Sequence, residues 1–476
     1  MNTFTLGLVV ILYMLLIAYL GYIGYRRTKT TKDYLLAGRD SHPFIMAMSY
    51  GATFISTSAI VGFGGMAGKF GMGLIWLVFL NIFIGIFIAF VFFGRITRRV
   101  GLNLDAHTFP EFLGNRFQSK SIQIISGLII FIAMPLYAAV VLIGGARFIE
   151  SIFQIDFTLA LIFFTLIMSA YVIAGGLKGV MYTDAAQGTI MFVCLLFLLI
   201  FSYFKLGGFS AAHQALTNMA NLVPADLAAQ GHLGWTAFPK INSAWWWILV
   251  TNIILGVGIG VLAQPQLVVR FMTVRSSREL NRAVMTGGIF IFVSTGFVYT
   301  VGALTNVWFY ETSGKLALDA VGGNVDKIIP EFINQAMPAW FIYLFMIALL
   351  SAGMSTLSSQ FHTMGSAIGR DVIEKIFPKT GLNTMMIARL GIVFGVLISL
   401  LIGYKLPMGI IARGTAIFFG ICAATFLPAY IASLYWKRVT RSAVLWSIIS
   451  GMVTSAFALG FLHKSESLPL GICKAL

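Results

Sequence analysis

Charge is scarce in this sequence, and acid is scarcer than base. Only 10% of its 476 residues are Asp, Glu, Lys or Arg, against 59% that are hydrophobic. A soluble domain carries ~25% charged residues, so this composition excludes one. The charges are confined to short intervals between apolar runs of ~20 residues or more, the length that crosses a bilayer. The chain therefore reads as an all-α polytopic membrane protein. Cysteine is rare as well. Cys194, Cys422 and Cys473 are far apart, and the first two lie in apolar runs, so neither a disulfide framework nor a thiolate metal site is indicated. The six histidines show no metal-ligand spacing, and no enzyme is expected. Sixteen acids against 32 bases leave a net charge of +16, yet no solvated basic domain or nucleic-acid motif accompanies it.

Twelve apolar spans are present, centred on residues 3–25, 45–66, 72–94, 122–153, 157–176 and 184–205, then 243–264, 283–309, 339–369, 384–404, 410–434 and 442–463. The first lacks a basic leader and a small-residue cleavage site, so it reads as a retained helix. Bases cluster in alternate intervals. Arg26, Arg27, Lys29, Lys32 and Arg39 follow the first span; Arg270, Arg275, Arg278 and Arg282 follow the seventh; Arg370, Lys375 and Lys379 follow the ninth. Positive loops face the cytoplasm, which places the N-terminus outside and the protein in the cell membrane. The outer intervals 206–242 and 310–338 are long enough for short amphipathic helices. Trp245, Trp246, Trp247 and Trp340 read as interfacial anchors.

Two stretches break the apolar pattern. Around Ala352, Ser355, Thr356 and Ser359 lie small and hydroxylated residues on one helical face, with Ser358 beside it. Such a face serves close helix packing, or it supplies oxygens to a small hard cation. From Ser49 to Gly65, glycines flank Thr53, Ser56, Thr57 and Ser58, which weakens helix formation. Irregular backbone survives at membrane depth only where it is buried in protein or lines a cavity. Asp184 is the one acid placed at the edge of a span. It reads as a functional intramembrane acid or as a helix-start acid favoured by the macrodipole.

Together, Ala52-Thr53-Phe54-Ile55-Ser56, Gly175-Gly176-Leu177 with Tyr182-Thr183-Asp184, and Ala352-Gly353-Met354-Ser355-Thr356 resemble the sodium/solute symporter family. Gly144-Gly145-Ala146-Arg147 and the run Gln264 to Phe271 add to the likeness, which extends from the first span to about Leu434. Gly179 departs from the family pattern in a minor way. The resemblance implies a LeuT-like 5+5 inverted repeat, over residues 45–205 and 243–434, each half opening with a broken helix. The leading helix 3–25 and the trailing helix 442–463 flank that core, and the thirteenth helix of many members is not legible after His463.

It further implies a sodium site from the carbonyls of Ala52, Ile55 and Ala352 and the hydroxyls of Ser355 and Thr356. Asp184, Ser358 and Ser359 match a second sodium site found in some relatives, so one and two ions per solute both stay open. Solute contacts are expected at Ser56, Thr57, Ser58, Tyr137 and Gln264. The resulting expectation is sodium-coupled symport of a small organic solute, with a carboxylate favoured, into the cytoplasm by alternating access. Proline carriers have tryptophan where this chain has Ser58 and Val257, so a proline-like amino-acid carrier is the alternative. A non-cycling channel or solute sensor of the same fold is the rival from another class. The expected partners are sodium ions, the solute and membrane lipids, with no nucleic acid and a functional monomer.

Overall fold

In the computed structural model the described residues are 3–172, 176–377 and 384–461, and among them the chain is helical with no strand beyond an isolated bridge between Ser41 and Val274. Gly175, Lys379, His463 and Cys473 lie outside the described residues. Ten helices among them are long and apolar enough to cross a membrane, and a shorter apolar helix joins them. The twelve expected positions are all filled once a broken pair is counted as one span and a 46-residue helical run, Ser58–Asn103, is divided at its bend.

The leading helix α1 (Thr3–Arg27) ends on Arg26 and Arg27. The second span is two pieces. The first, α2 (Pro43–Phe54), starts where His42 accepts from the Phe44 N–H and Pro43, which has no N–H to lose, occupies the first turn. Helix stops at Phe54, and Ile55 and Ser56 lie outside it. It resumes because Ser56 Oγ accepts from the Ser58 and Ala59 N–H groups, restarting a π turn (Ser58–Phe63) that leads into α3 (Gly64–Phe70). The third span, α4 (residues 75–103), runs past the expected end at Gly94 to Asn103. Helical hydrogen bonds need no apolar side chains, so the rod continues into the basic interval carrying Arg95, Arg98 and Arg99.

The helices α5 (Lys120–Phe153), α6 (Phe157–Val172) and α7 (Gly176–Lys205) complete the first half. The seventh span repeats the interruption. Helix α8 (Ala244–Ala263) stops at Gln264, which is extended (φ −70°, ψ 119°), and Pro265 opens the short α9 (Pro265–Val268). Then come α10 (Ser277–Ser313), α11 (Ala339–Ser366), α12 (Thr384–Lys405), α13 (Ile411–Tyr435) and α14 (Arg441–Phe461). Short helices Phe209–Asn218 and Ile328–Ala336 occupy the two long intervals 206–242 and 310–338, as expected.

Burial separates centre from periphery. The apolar stretch of the ninth span is 83% buried, whereas those of α1 and α14 are 17% buried. The ninth-span helix is enclosed on nearly every side and lines the core, whereas α1 and α14 leave most of their apolar surface uncovered at the periphery. The tryptophan cluster divides in the same way. Trp247 and Trp340 are exposed, but Trp245 is only 2% exposed, its ring 4.3 Å from that of Phe70 with Lys69 above it. Trp245 is thus a packing residue rather than an interfacial anchor.

Candidate ion and solute site

The site forms where the interrupted second span meets α11. Ser355 Oγ donates to the Ala52 carbonyl at 2.9 Å, and Thr356 Oγ1 donates to the Thr53 carbonyl at 3.0 Å. Ser355 also reaches the Ala352 carbonyl at 3.3 Å within its own helix. Carbonyls in the last turn of a helix have no intrahelical partner, which is why the stop at Phe54 leaves those of Ala52 and Thr53 for the facing hydroxyls. Ala52, Ile55, Ala352, Ser355 and Thr356 are all buried. The donor set is hard, neutral oxygen: hydroxyls and carbonyls with lone pairs to spare. That chemistry suits sodium, and a shell without a full counter-charge binds it weakly enough for release.

A turn further along the same two helices the chemistry is different. Asp184 lies roughly two turns inside α7, deeper than a helix-start acid. Its carboxylate faces Arg270, with Nη2 3.0 Å from Oδ2, and both side chains are essentially fully buried. Arg270 was expected among the basic loop residues. It follows α9 into the interior instead, and spends its donors on a closed set of acceptors. Nε donates to Ser49 Oγ at 3.0 Å and Nη1 to the Gln266 carbonyl at 2.7 Å. Nη2 reaches Thr53 Oγ1 and Ser359 Oγ, each at 2.6 Å. Ser49 Oγ donates in turn to Asp184 at 2.7 Å. A planar fork with five N–H groups satisfies such a nest as no hydrated ammonium would.

The three residues of the candidate second ion site therefore part company. Asp184 and Ser359 meet, but through a guanidinium. Ser358 turns back onto the Ser355 carbonyl of its own helix at 3.2 Å. Thr53 links the two nests, its carbonyl accepting from Thr356 and its hydroxyl from Arg270. Sequence reasoning missed Arg270, Ser49 and Thr53 as site residues. One signal was present for Arg270: an isolated base among apolar neighbours, Val268, Val269, Phe271 and Met272.

The expected solute contacts also divide. Ser56 caps the resumed helix, as described, and the Tyr137 hydroxyl engages its side chain. Thr57 Oγ1 donates to the Val141 carbonyl at 2.5 Å, at a contact with α5 that Gly144 permits, since a Cβ there would lie 2.8 Å from the same oxygen. Thr57 thus serves helix packing. Tyr137 is stacked on Phe418, ring centres 5.1 Å apart, with Phe419 edge-on at 5.4 Å. Ser58 Oγ and Gln264 Nε2, one at each interrupted span, are among the buried polar atoms without a hydrogen-bond partner, as are Gln266 Oε1 and Asp184 Oδ1. Buried polar groups are rarely left so in proteins.

Among the described residues, Glu111, Asp326 and Asp371 are also buried, outside the twelve spans. Burial pushes Asp326, in the interval 310–338, up to about 7 against the pull of Arg147 and the N–H groups of Ile411, Gly409 and Ile410. At the opposite end, burial alone would raise Glu111, but His107 and the Arg370 guanidinium at 3.0 Å hold it at about 2. Asp184 is not the only enclosed carboxylate.

Comparison with known proteins bears on the family and the fold. The model of the sodium:solute symporter family matches residues 34–451. The high-affinity proline transporter of Bacillus subtilis (strain 168) is 28% identical over 446 residues, 92% of this chain and 88% of that protein. The sodium/proline symporter of Staphylococcus aureus (strain JH9) is 28% identical over 461 residues, covering 95% of this chain and 84% of the relative. Among solved structures, a substrate-bound, outward-open Na+-coupled sialic acid symporter superposes with a TM-score of 0.72 at 19% identity, over 95% of this chain and 98% of that one.

Proposed function

This chain belongs to the sodium:solute symporter family, and from that premise we propose that it carries a small carboxylate-bearing solute into the cell with a single sodium ion. Sodium-coupled solute symport is the activity of its relatives, and the fold matches a symporter along nearly the full length of both chains. We take residues 45–205 and 243–434 as inverted repeats that rock about the site, because an interrupted helix opens each half. The N-terminus lies outside and the protein works as a monomer in this reading.

Sodium is assigned to Ala52, Ile55, Ala352, Ser355 and Thr356. Arg270 takes the place of a second ion at Asp184 and Ser359. A resident cation satisfies the acid permanently, so no ion from solution is needed to offset its burial. The observation that carries the solute class is the pair of unpartnered donors, Ser58 Oγ and Gln264 Nε2. Both bring a proton and lack an acceptor, which a carboxylate supplies twice over. The ring of Tyr137 offers an apolar wall beside Phe418 for the rest of a small solute.

A proline-type amino acid is the second reading, favoured by the names of the 28% identical relatives. A thermal-shift screen of the purified protein with monocarboxylates, amino acids and sugars, each with and without sodium, tests both. We expect monocarboxylates to stabilise the protein only when sodium is present. A response to proline alone moves the assignment to the second reading, and a response to sugars alone overturns both.

A further inference from the structure

Outside the transport site, the leading helix carries a feature that symport does not use. At its inner end, α1 and the start of α7 enclose an open groove of about 710 Å³, bordered by Tyr19, Tyr22, Arg26, Arg27, Lys178 and Tyr182. Lys29 closes its rim. The one acid on the rim, Asp40, is held by Arg275, and the acid nearest Lys178 is Asp33, at 3.4 Å. Among the described ion pairs, none engages Arg26 or Lys29. The groove thus carries unspent positive charge.

Its aromatic walls are held by that charge. Arg27 donates to the Tyr182 hydroxyl at 3.2 Å and lies 5.8 Å from the ring centre, and Arg26 sits 6.0 Å above the Tyr22 ring. Tyrosines at the end of an apolar span occupy headgroup level in a bilayer. Basic residues at such a level also set topology, and that alone would explain loose, separate side chains. It does not explain a concave site into which two helices deliver them.

The rest of α1 identifies the occupant. Leu8, Ile11, Leu12, Leu15, Tyr19 and Tyr22 are exposed, and their spacing puts them on one side of the helix. This apolar stripe runs straight into the groove. A free anion would use only the charged end. A molecule with acyl chains and a phosphate headgroup would use both. We propose that the groove binds the phosphate headgroup of an anionic phospholipid, whose chains lie along the outer face of α1.

The site sits where α1 is secured to the core. Gly24 crosses Gly179 so closely that a Cβ on it would lie 2.2 Å from the Gly179 Cα. Farther along, Gln187 and Ser351 hydrogen-bond the Tyr13 hydroxyl at 3.1 and 2.9 Å. With so little of α1 buried, a lipid bridging Arg26 and Arg27 to Lys178 reinforces the Arg27–Tyr182 contact at the inner end. The lipid then clamps the leading helix to α7, the helix that carries Asp184.

The test uses the purified full chain in detergent, titrated with phosphatidylglycerol, phosphatidylcholine or inorganic phosphate. Melting temperature is followed, and lipid retention is read by native mass spectrometry. Phosphatidylglycerol should raise the melting temperature by several degrees more than phosphatidylcholine and stay bound, while inorganic phosphate should do neither. The triple variant Arg26→Gln, Arg27→Gln, Lys29→Gln should lose that difference. An Arg278→Gln, Arg282→Gln control should keep it. Equal responses to the two lipids overturn the proposal even if the triple variant does not fold. A full response to inorganic phosphate reassigns the groove to a free anion, and loss in the control as large as in the triple variant leaves only general surface charge.

Discussion

The two polar nests along α2 and α11 are neighbours that share Thr53, yet they solve opposite problems. The nest around Ala52, Ser355 and Thr356 has oxygens and no charge. The nest around Asp184 has a charge, and the protein supplies the opposite one through Arg270. A neutral shell can release its ion, because neither state strands a bare charge. A carboxylate at that depth cannot be left alone, since an unpaired buried ion costs several kcal/mol. On the proposed assignment, a coupling ion belongs where the protein can do without it, and a tethered cation where it cannot. Thr53, shared by both nests, makes the electrostatic state of one felt by the other.

The comparison breaks most severely at Asp184. Asp184→Asn should leave the Arg270 guanidinium unpaired beside the neutral nest. At an effective dielectric of ~20, a bare charge several ångströms away costs an incoming cation roughly 1–3 kcal/mol, about 10- to 100-fold in sodium affinity. Combining Asp184→Asn with Arg270→Gln removes both charges, and sodium affinity should recover most of the way toward wild type. Sodium titration of solute uptake in proteoliposomes reads both. A single variant with unchanged sodium activation, or a double variant worse than the single, would refute the electrostatic link.

Smaller effects should follow from the neutral nest itself. Ser355→Ala and Thr356→Ala each remove one hydroxyl oxygen and leave a side chain that packs as well. Each should raise the half-saturating sodium concentration by roughly 10-fold, the equivalent of about 1.4 kcal/mol for one ligand. Solute affinity at saturating sodium should hardly change. Unchanged sodium activation in both variants would return this face of α11 to helix packing.

Much of this was legible in the sequence. Apolar runs and alternating basic intervals located the spans, because a bilayer permits little else. Hydroxyls interleaved with glycines marked the interrupted second span, and the small-residue face of the ninth span marked its partner. What could not be read was which way each hydroxyl turns. Ser56, Thr57 and Ser58 are consecutive and chemically alike, yet one caps a helix, one fastens α5 and one is left without a partner. Those fates depend on the angle of the break, a three-dimensional quantity. Arg270 was misread for a related reason. Its neighbours in sequence include a basic interval, but the short α9 carries it inward to an acid 86 residues away in the chain.

How many sodium ions accompany each solute is measured directly by paired fluxes of labelled sodium and labelled solute in proteoliposomes. With Arg270 standing as the resident cation at Asp184, the ratio should be one. A ratio of two in the wild-type protein would mean that the guanidinium yields its place to an ion during the cycle, contradicting its role as the resident cation at Asp184.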